Sequence, residues 1–119
     1  MPPKPKFTRD EIAAIAYQMI KEGGVSSLTA RDLGSRMGTS ARPIFTLFKN
    51  MEEVKQAARA LAVQEFMGHI RDFRDFSPAF KRIGMAIVSY GIHEPELFKL
   101  LFLQEHPKGV SFEQSLLDM

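Results

Sequence analysis

A chain of 119 residues has room for one ordinary domain, or for a small domain and part of a second. An apolar fraction of 45% with 25% charged residues excludes a disordered chain, and the absence of cysteine excludes disulfides, thiolate metal sites and cysteine nucleophiles. The formal charge of +2 is unevenly spread: residues 1–59 hold ten Lys/Arg against six Asp/Glu, and residues 60–119 hold six against eight.

The N-terminal MPPKPKFTRDE is positively charged but has no apolar core behind it, so it does not read as a secretory signal. No apolar run approaches the roughly 20 residues a membrane span needs. The expectation is a soluble, cytoplasmic protein without a membrane partner. Residues 1–7, with three prolines, Lys4 and Lys6, read as a basic arm: either a groove-binding segment or a plain terminus.

A first helix opens at Thr8-Arg9-Asp10-Glu11, where Thr8 and Glu11 can form a capping box and Phe7 can staple against Ile12. Ile12, Ile15, Ala16, Met19 and Ile20 recur at three- and four-residue spacing, which makes one apolar face, and Gly23-Gly24 ends it. Thr29 then caps a second helix, with Asp32 at its third position and Leu33 and Met37 on one face. Gly38 can take the left-handed conformation that stops it. Ser40 offers the next cap and Pro43 falls in the first turn of a third helix, where its missing N–H is harmless. Ile44, Leu47 and Phe48 line the inner face of that helix, and Arg42 and Thr46 point elsewhere. Two short helices joined by a tight turn in this way read as a helix-turn-helix, whose default use is to lay the second helix in the DNA major groove.

A fourth helix is expected from the Asn50 cap, with Glu53 three residues on. It carries Val54, Ala57, Ala58, Leu61, Phe66 and Ile70, and extends to about Phe73. Its length suits a connector. Ser77-Pro78 restarts the chain, and Phe80, Ile83, Gly84, Ile87 and Val88 define the expected inner face of a fifth helix. Gly91 marks either its end or, with Gly84, a close helix approach. Glu94-Pro95-Glu96 opens a sixth helix, apolar on nearly all sides through Leu97, Phe98, Leu100, Leu101, Phe102 and Leu103, and therefore expected to be buried all round. His106-Pro107-Lys108-Gly109 breaks it, and Ser111 to Leu117 reads as the start of another helix. No period-two strand pattern or internal repeat occurs.

Residues 8–58 resemble the N-terminal DNA-binding domain of TetR/AcrR-family transcriptional regulators. The likeness is carried by Thr8-Arg9, Ile12 through Ala16, Gly24, Thr29, Arg31, Leu33, Gly34, Met37, the Gly38-Thr39-Ser40 turn, Ile44-Phe45-Thr46-Leu47-Phe48 and Glu52-Glu53-Val54. Residues Phe80 to Phe102 look, more loosely, like the start of that family's ligand-binding and dimerisation domain. The resemblance implies an all-α chain in three parts: the arm 1–7, a three-helix DNA-binding head 8–58, and a regulatory helical part 59–119 entered by the long connecting helix. It further implies a homodimer on a palindromic operator, a repressor, and a small-molecule effector among Phe66, Phe80, Tyr90 and Phe98, residues that serve equally well as plain core. Family members are usually longer, so a partial chain is expected. Three positions depart from the family pattern. Phe45 stands where a phosphate-binding tyrosine is common, Met51 where a lysine often opens the fourth helix, and Arg42-Pro43 where two small residues are usual.

The chemistry of the motif runs parallel to the likeness. DNA affinity comes chiefly from neutralised phosphates, and specificity from groups that reach base edges. Thr39, Ser40, Ala41 and Arg42 would face the groove. Arg42 is either a two-bond reader of guanine or a solvated surface charge. Thr46 can reach a thymine methyl or a phosphate, and Thr29, Arg31, Lys49, Lys4 and Lys6 suit backbone contacts. Arg36 can pair with Asp32. His69, His93 and His106 lack metal-site spacing, no nucleotide or hydrolase motif occurs, and no cofactor is expected. The competing reading is a helical protein-interaction module that does not bind DNA.

Overall fold

Side-chain caps decide where three of the helices begin. The computed structural model describes residues 7–72 and 79–103, the side chains of 79 and 80 excepted. Helix α1, Arg9–Gly23, starts at Thr8, whose hydroxyl accepts from the Glu11 N–H at 3.1 Å while the Glu11 carboxylate accepts from the Thr8 N–H at 2.9 Å. Phe7 packs half-buried against the core in front of it. Gly24 ends the helix at φ 85°. A short 3-10 turn, Val25–Ser27, follows, closed by the Ser27 hydroxyl 2.7 Å from the Gly24 carbonyl and 3.0 Å from that of Met19.

Helix α2, Ala30–Met37, is capped by Thr29, which accepts from the Asp32 N–H at 3.1 Å. It stops at Gly38, left-handed at φ 78°, as the sequence suggests. Helix α3, Arg42–Leu47, begins differently from expectation. Its N-terminal flanking residue is Ala41, already helical at φ −74°, ψ −12°, and no side chain caps it. Ser40 sits one residue too early for that role, although its hydroxyl oxygen still accepts from the Arg42 N–H at 3.3 Å. Pro43 lies in the first turn as anticipated.

Helix α4, Met51–Arg71, opens at Asn50, whose side chain accepts from the Glu53 N–H at 2.9 Å. Val54, Ala58, Ala62, Phe66 and Ile70 form its buried line, each four residues from the last, so that one stripe faces the core along the full helix. Helix α1 packs chiefly on this stripe, and α6 closes against both.

Helix α5, Ala79–His93, and helix α6, Pro95–Phe102, complete the described chain, which is all-helical, with no strand among the described residues. Of the expected inner face of α5, Ile83 and Ile87 do pack against the core, beside the buried Ala86 and Tyr90, whereas Gly84 and Val88 are exposed. Val88 is 62% exposed, and among the described residues no atom comes within 4 Å of where a Cβ at Gly84 would stand. Both 83/87 and 84/88 offer a four-residue apolar or small pair, so periodicity alone could not choose between adjacent faces. Gly91 does not end the helix: a Cβ there would stand 3.4 Å from the Phe98 ring, so it marks the α5–α6 approach. Helix α6 buries Leu97, Leu100 and Leu101, but Phe98 and Phe102 are only partly covered and Leu103 is 67% exposed. The expected burial on all sides is therefore incomplete. Ser77, Pro78, His106 and the 111–117 stretch lie outside the described residues. Among the described residues no helix is long and apolar enough to cross a membrane.

Candidate nucleic-acid interface

The outward face of α3 is fixed by what lies behind it. Ile44 and Phe48 are buried, with Leu47 half-covered, and at about 3.6 residues per turn this leaves Arg42, Phe45 and Thr46 facing away. All three are exposed, Phe45 by 48%. Thr29, Arg31, Thr39, Ser40 and Lys49 are exposed around them, and Ala41 is half-covered. Lys4 and Lys6 lie outside the described residues.

Gly34 determines how closely α2 and α3 come together. A Cβ at this position would lie 2.8 Å from the Ser40 carbonyl carbon and oxygen and 3.0 Å from the Ala41 nitrogen. Those are backbone atoms, which cannot swing aside, so only glycine lets the turn sit directly on α2. Below, Arg9 fastens the other end of α3. Its guanidinium lies 4.3 Å from the centroid of the Phe48 ring, and its Nη1 donates to the Leu47 carbonyl at the helix C-terminus. Sequence reasoning assigned neither residue a structural part. A glycine inside a short helix before a turn was the available signal for Gly34; nothing in the local pattern pointed from Arg9 to a partner 38 residues away.

The polar groups on this face divide into engaged and free. The Thr39 hydroxyl donates to the Ser40 carbonyl at 2.7 Å, and the Thr46 hydroxyl to the Pro43 carbonyl at 2.8 Å. Lys49 uses its backbone N–H to reach Glu53 at 2.8 Å. By contrast, the side chains of Arg31, Arg42 and Lys49 make no hydrogen bond or ion pair among the described residues. Other cations are occupied. Arg36 pairs with Glu22 of α1, not with Asp32 as the four-residue spacing suggests, and Lys55 pairs with Glu52 at 3.2 Å. The hydrogen bond from Arg36, reinforced by Gln18, holds the Glu22 carboxyl below its ordinary range.

The aromatic group singled out in the back half is packed together. The Phe66 ring meets Tyr90 edge-on at 5.1 Å and Phe102 at 5.5 Å, while Phe98 stands 5.0 Å from Phe102. The Phe80 side chain is not among those described. Tyr90 lines a cleft of about 680 Å³ together with Glu65, Gly68, His69, Arg71, Asp72, His93 and Glu94. Burial, and then the charge of Glu94, pushes the Glu65 carboxyl above its ordinary range. Burial, and then Glu65, pushes the Tyr90 hydroxyl up as well. Across the chain, Tyr17 of α1 donates its hydroxyl proton to Glu65, and Lys21 lies 3.6 Å from Glu94. No group of three side chains among the described residues has the arrangement to hold a metal ion.

No family model, curated protein or solved structure matches the chain, so the functional reading depends on these residues themselves.

Proposed function

We propose that this chain is the DNA-binding end of a TetR/AcrR-type transcriptional regulator, with α1 to α3 as a three-helix head and α2–turn–α3 as its helix-turn-helix. The carrying observation is the exposed face of α3, on which Arg42, like Arg31 and Lys49 near it in the chain, makes no side-chain hydrogen bond or ion pair among the described residues. Unpaired exposed cations can neutralise phosphates without first breaking an internal ion pair, which is what non-specific DNA affinity requires. Arg42, on the outward face at the start of α3, is the base reader, and Thr29, Arg31 and Lys49 are backbone contacts. Two copies read a palindromic operator as a homodimer in the cytoplasm, and a small effector bound beside α4 and α5 releases it, which makes the protein a repressor.

The test is a titration on mixed-sequence duplex at two salt concentrations. Affinity should fall steeply as salt rises, and Arg31→Ala or Lys49→Ala should each flatten the slope of log K against log salt by about 1 per half-site. Selection from random DNA should return a two-fold symmetric sequence. Arg42→Ala should then relax one position per half-site by about 1–3 kcal/mol. Uniform weakening on every sequence would instead make Arg42 a phosphate contact.

Phe45 favours a second reading. A half-exposed phenyl ring amid the proposed contact face suits an apolar protein partner better than a phosphate. A folded sample with no DNA affinity even at low salt selects that alternative.

A further inference from the structure

We infer that Phe45 reads the methyl group of a thymine, placed in each half-site within roughly two base pairs of the guanine met by Arg42. This rests on the DNA-binding reading and deepens it. Removing a methyl group from the DNA tests it separately from DNA binding as such.

The ring stands alone. Phe45 is 48% exposed, and no aromatic or cationic group stacks on it among the described residues. The other large apolar side chains exposed among the described residues are Met85, Val88 and Ile92 on α5 and Leu103 just after α6. A protein-docking surface usually extends over more than a few hundred Å² of contiguous apolar area. Half of one phenylalanine offers about 100 Å². A single ring among polar side chains therefore suits a single apolar group. The major groove supplies one on a base edge, the C5-methyl of thymine.

The neighbours of Phe45 narrow the choice further. The Thr46 hydroxyl donates to the Pro43 carbonyl at 2.8 Å, and the Thr39 hydroxyl to the Ser40 carbonyl at 2.7 Å. Helix α3, Arg42–Leu47, holds no amide to pair with adenine and no carboxylate to accept from cytosine. Facing outward are a guanidinium, which fits guanine O6 and N7, and a phenyl ring, which fits a methyl. A phosphate is the poorer partner for Phe45, because a phenyl ring has no donor, whereas Arg31 and Lys49 have theirs unengaged. Spacing sets the distance between the two bases. Residues three apart in a helix are separated by about 4.5 Å along its axis and about 60° around it. Base pairs stack about 3.4 Å apart, so the two side chains meet neighbouring or next-neighbouring pairs.

The experiment uses the full chain and the duplex it selects from random DNA. Each thymine is replaced in turn by deoxyuridine, which removes one methyl and leaves charge and pairing unchanged. Burying a methyl contributes about 0.8 kcal/mol, which converts to about fourfold in affinity. At one thymine per half-site the parent should bind the uracil duplex about fourfold more weakly, with an unchanged salt slope. Phe45→Ala should bind both duplexes equally, and Phe45→Leu should keep part of the preference. Because Phe45 packs at the surface, its alanine variant should unfold in urea near the parent midpoint. Thr46→Ser, which removes a methyl but keeps the hydroxyl, should retain the preference for thymine. Salt-dependent binding with no loss at any uracil overturns the inference and leaves the DNA-binding reading standing. A uracil penalty that survives in Phe45→Ala, or disappears in Thr46→Ser, overturns it too. A folded chain that binds no duplex at low salt overturns both readings and assigns Phe45 to a protein partner.

Discussion

The two ends of α4 are packed by different means. Toward its start, the alanines Ala13, Ala16, Ala58 and Ala62 are buried beside aliphatic side chains such as Ile12 and Val54, and in the adjoining head Gly34 lets the Ser40–Ala41 turn sit on α2. Near its end, packing relies on rings, with Phe66, Tyr90, Phe98 and Phe102 in edge-on or tilted pairs. Small residues bring helices close, and the clefts near the start of α4, such as the one beside Arg9, Asn50 and Gln56, lie among polar side chains at the surface. Rings hold them further apart, and here a polar cleft remains beside Tyr90. The outer surfaces differ as well. The front presents unpaired cations, whereas α5 presents Met85, Val88 and Ile92 at three- and four-residue spacing, Ile92 being 70% exposed. The front half leaves charge and one large apolar side chain, Phe45, outside; the back half leaves a longer apolar row on α5 open.

The largest expected effect lies in the ring-packed half. Phe66 is fully buried among Tyr90 and Phe102, so Phe66→Ala should cost about 3–5 kcal/mol in urea unfolding. Phe66→Leu should recover much of that loss. If both variants cost under about 1 kcal/mol, the rings are not what holds α5 and α6 to α4.

Next comes the backbone contact in the front half. Gly34→Ala should cost about 1–3 kcal/mol, because its methyl would collide with the Ser40–Ala41 peptide. Gly38→Ala makes the control. It meets no atom within 4 Å, but its φ of 78° makes a side chain strained by about 1–2 kcal/mol. The two should separate in DNA affinity: moving the turn off α2 displaces Arg42, whereas strain at Gly38 mainly lowers stability. Equal losses of affinity per unit of lost stability would remove any special part for Gly34.

Much of this front half was legible from the residues. Thr8, Thr29 and Asn50 capped the helices they were expected to cap, and Gly24 and Gly38 took positive φ, because those features depend on chain neighbours only. Local sequence was less informative wherever two adjacent faces were both apolar, as with Gly84/Val88 against Ile83/Ile87. It was also silent on contacts made across the fold. Arg36 looked paired with Asp32 on its own helix, yet Glu22 on α1 is its partner. The unpaired state of Arg31, Arg42 and Lys49 could not be read from spacing for the same reason, since only packing decides which acids come near.

Arg9 should give a smaller effect. Arg9→Gln removes the ring contact with Phe48 and weakens the hold on the Leu47 carbonyl, for about 1–2 kcal/mol. Arg9→Lys should restore part of the charge but not the flat stacking of a guanidinium. If glutamine and lysine variants unfold at the same urea midpoint as the parent, α3 is held by its apolar face alone.

The finest contrast between the halves is in their response to acid. Glu22, in front, has a carboxyl pKa held below the ordinary 4.5 by its hydrogen bond from Arg36 and then from Gln18. Its contribution is therefore present above the unfolded value and is lost as pH falls through the lower folded value. Glu65, behind, has a pKa raised above 4.5 by burial and then by Glu94. The sign reverses: its contribution is full below the unfolded value and is lost as pH rises through the higher folded value, because the folded chain then carries a charge that has lost part of its water and lies near the charge of Glu94. Unfolding midpoints measured from about pH 4 to 7 should thus decline less in Glu65→Gln than in the parent, and Glu22→Gln should differ from the parent mainly by losing less below about pH 4. Since Glu65 is an exposed residue, solvent screening keeps its effect small. Parallel profiles for parent and Glu65→Gln would mean that the charge near Tyr90 is fully solvated, and the contrast between the two ends of α4 would then be one of packing alone.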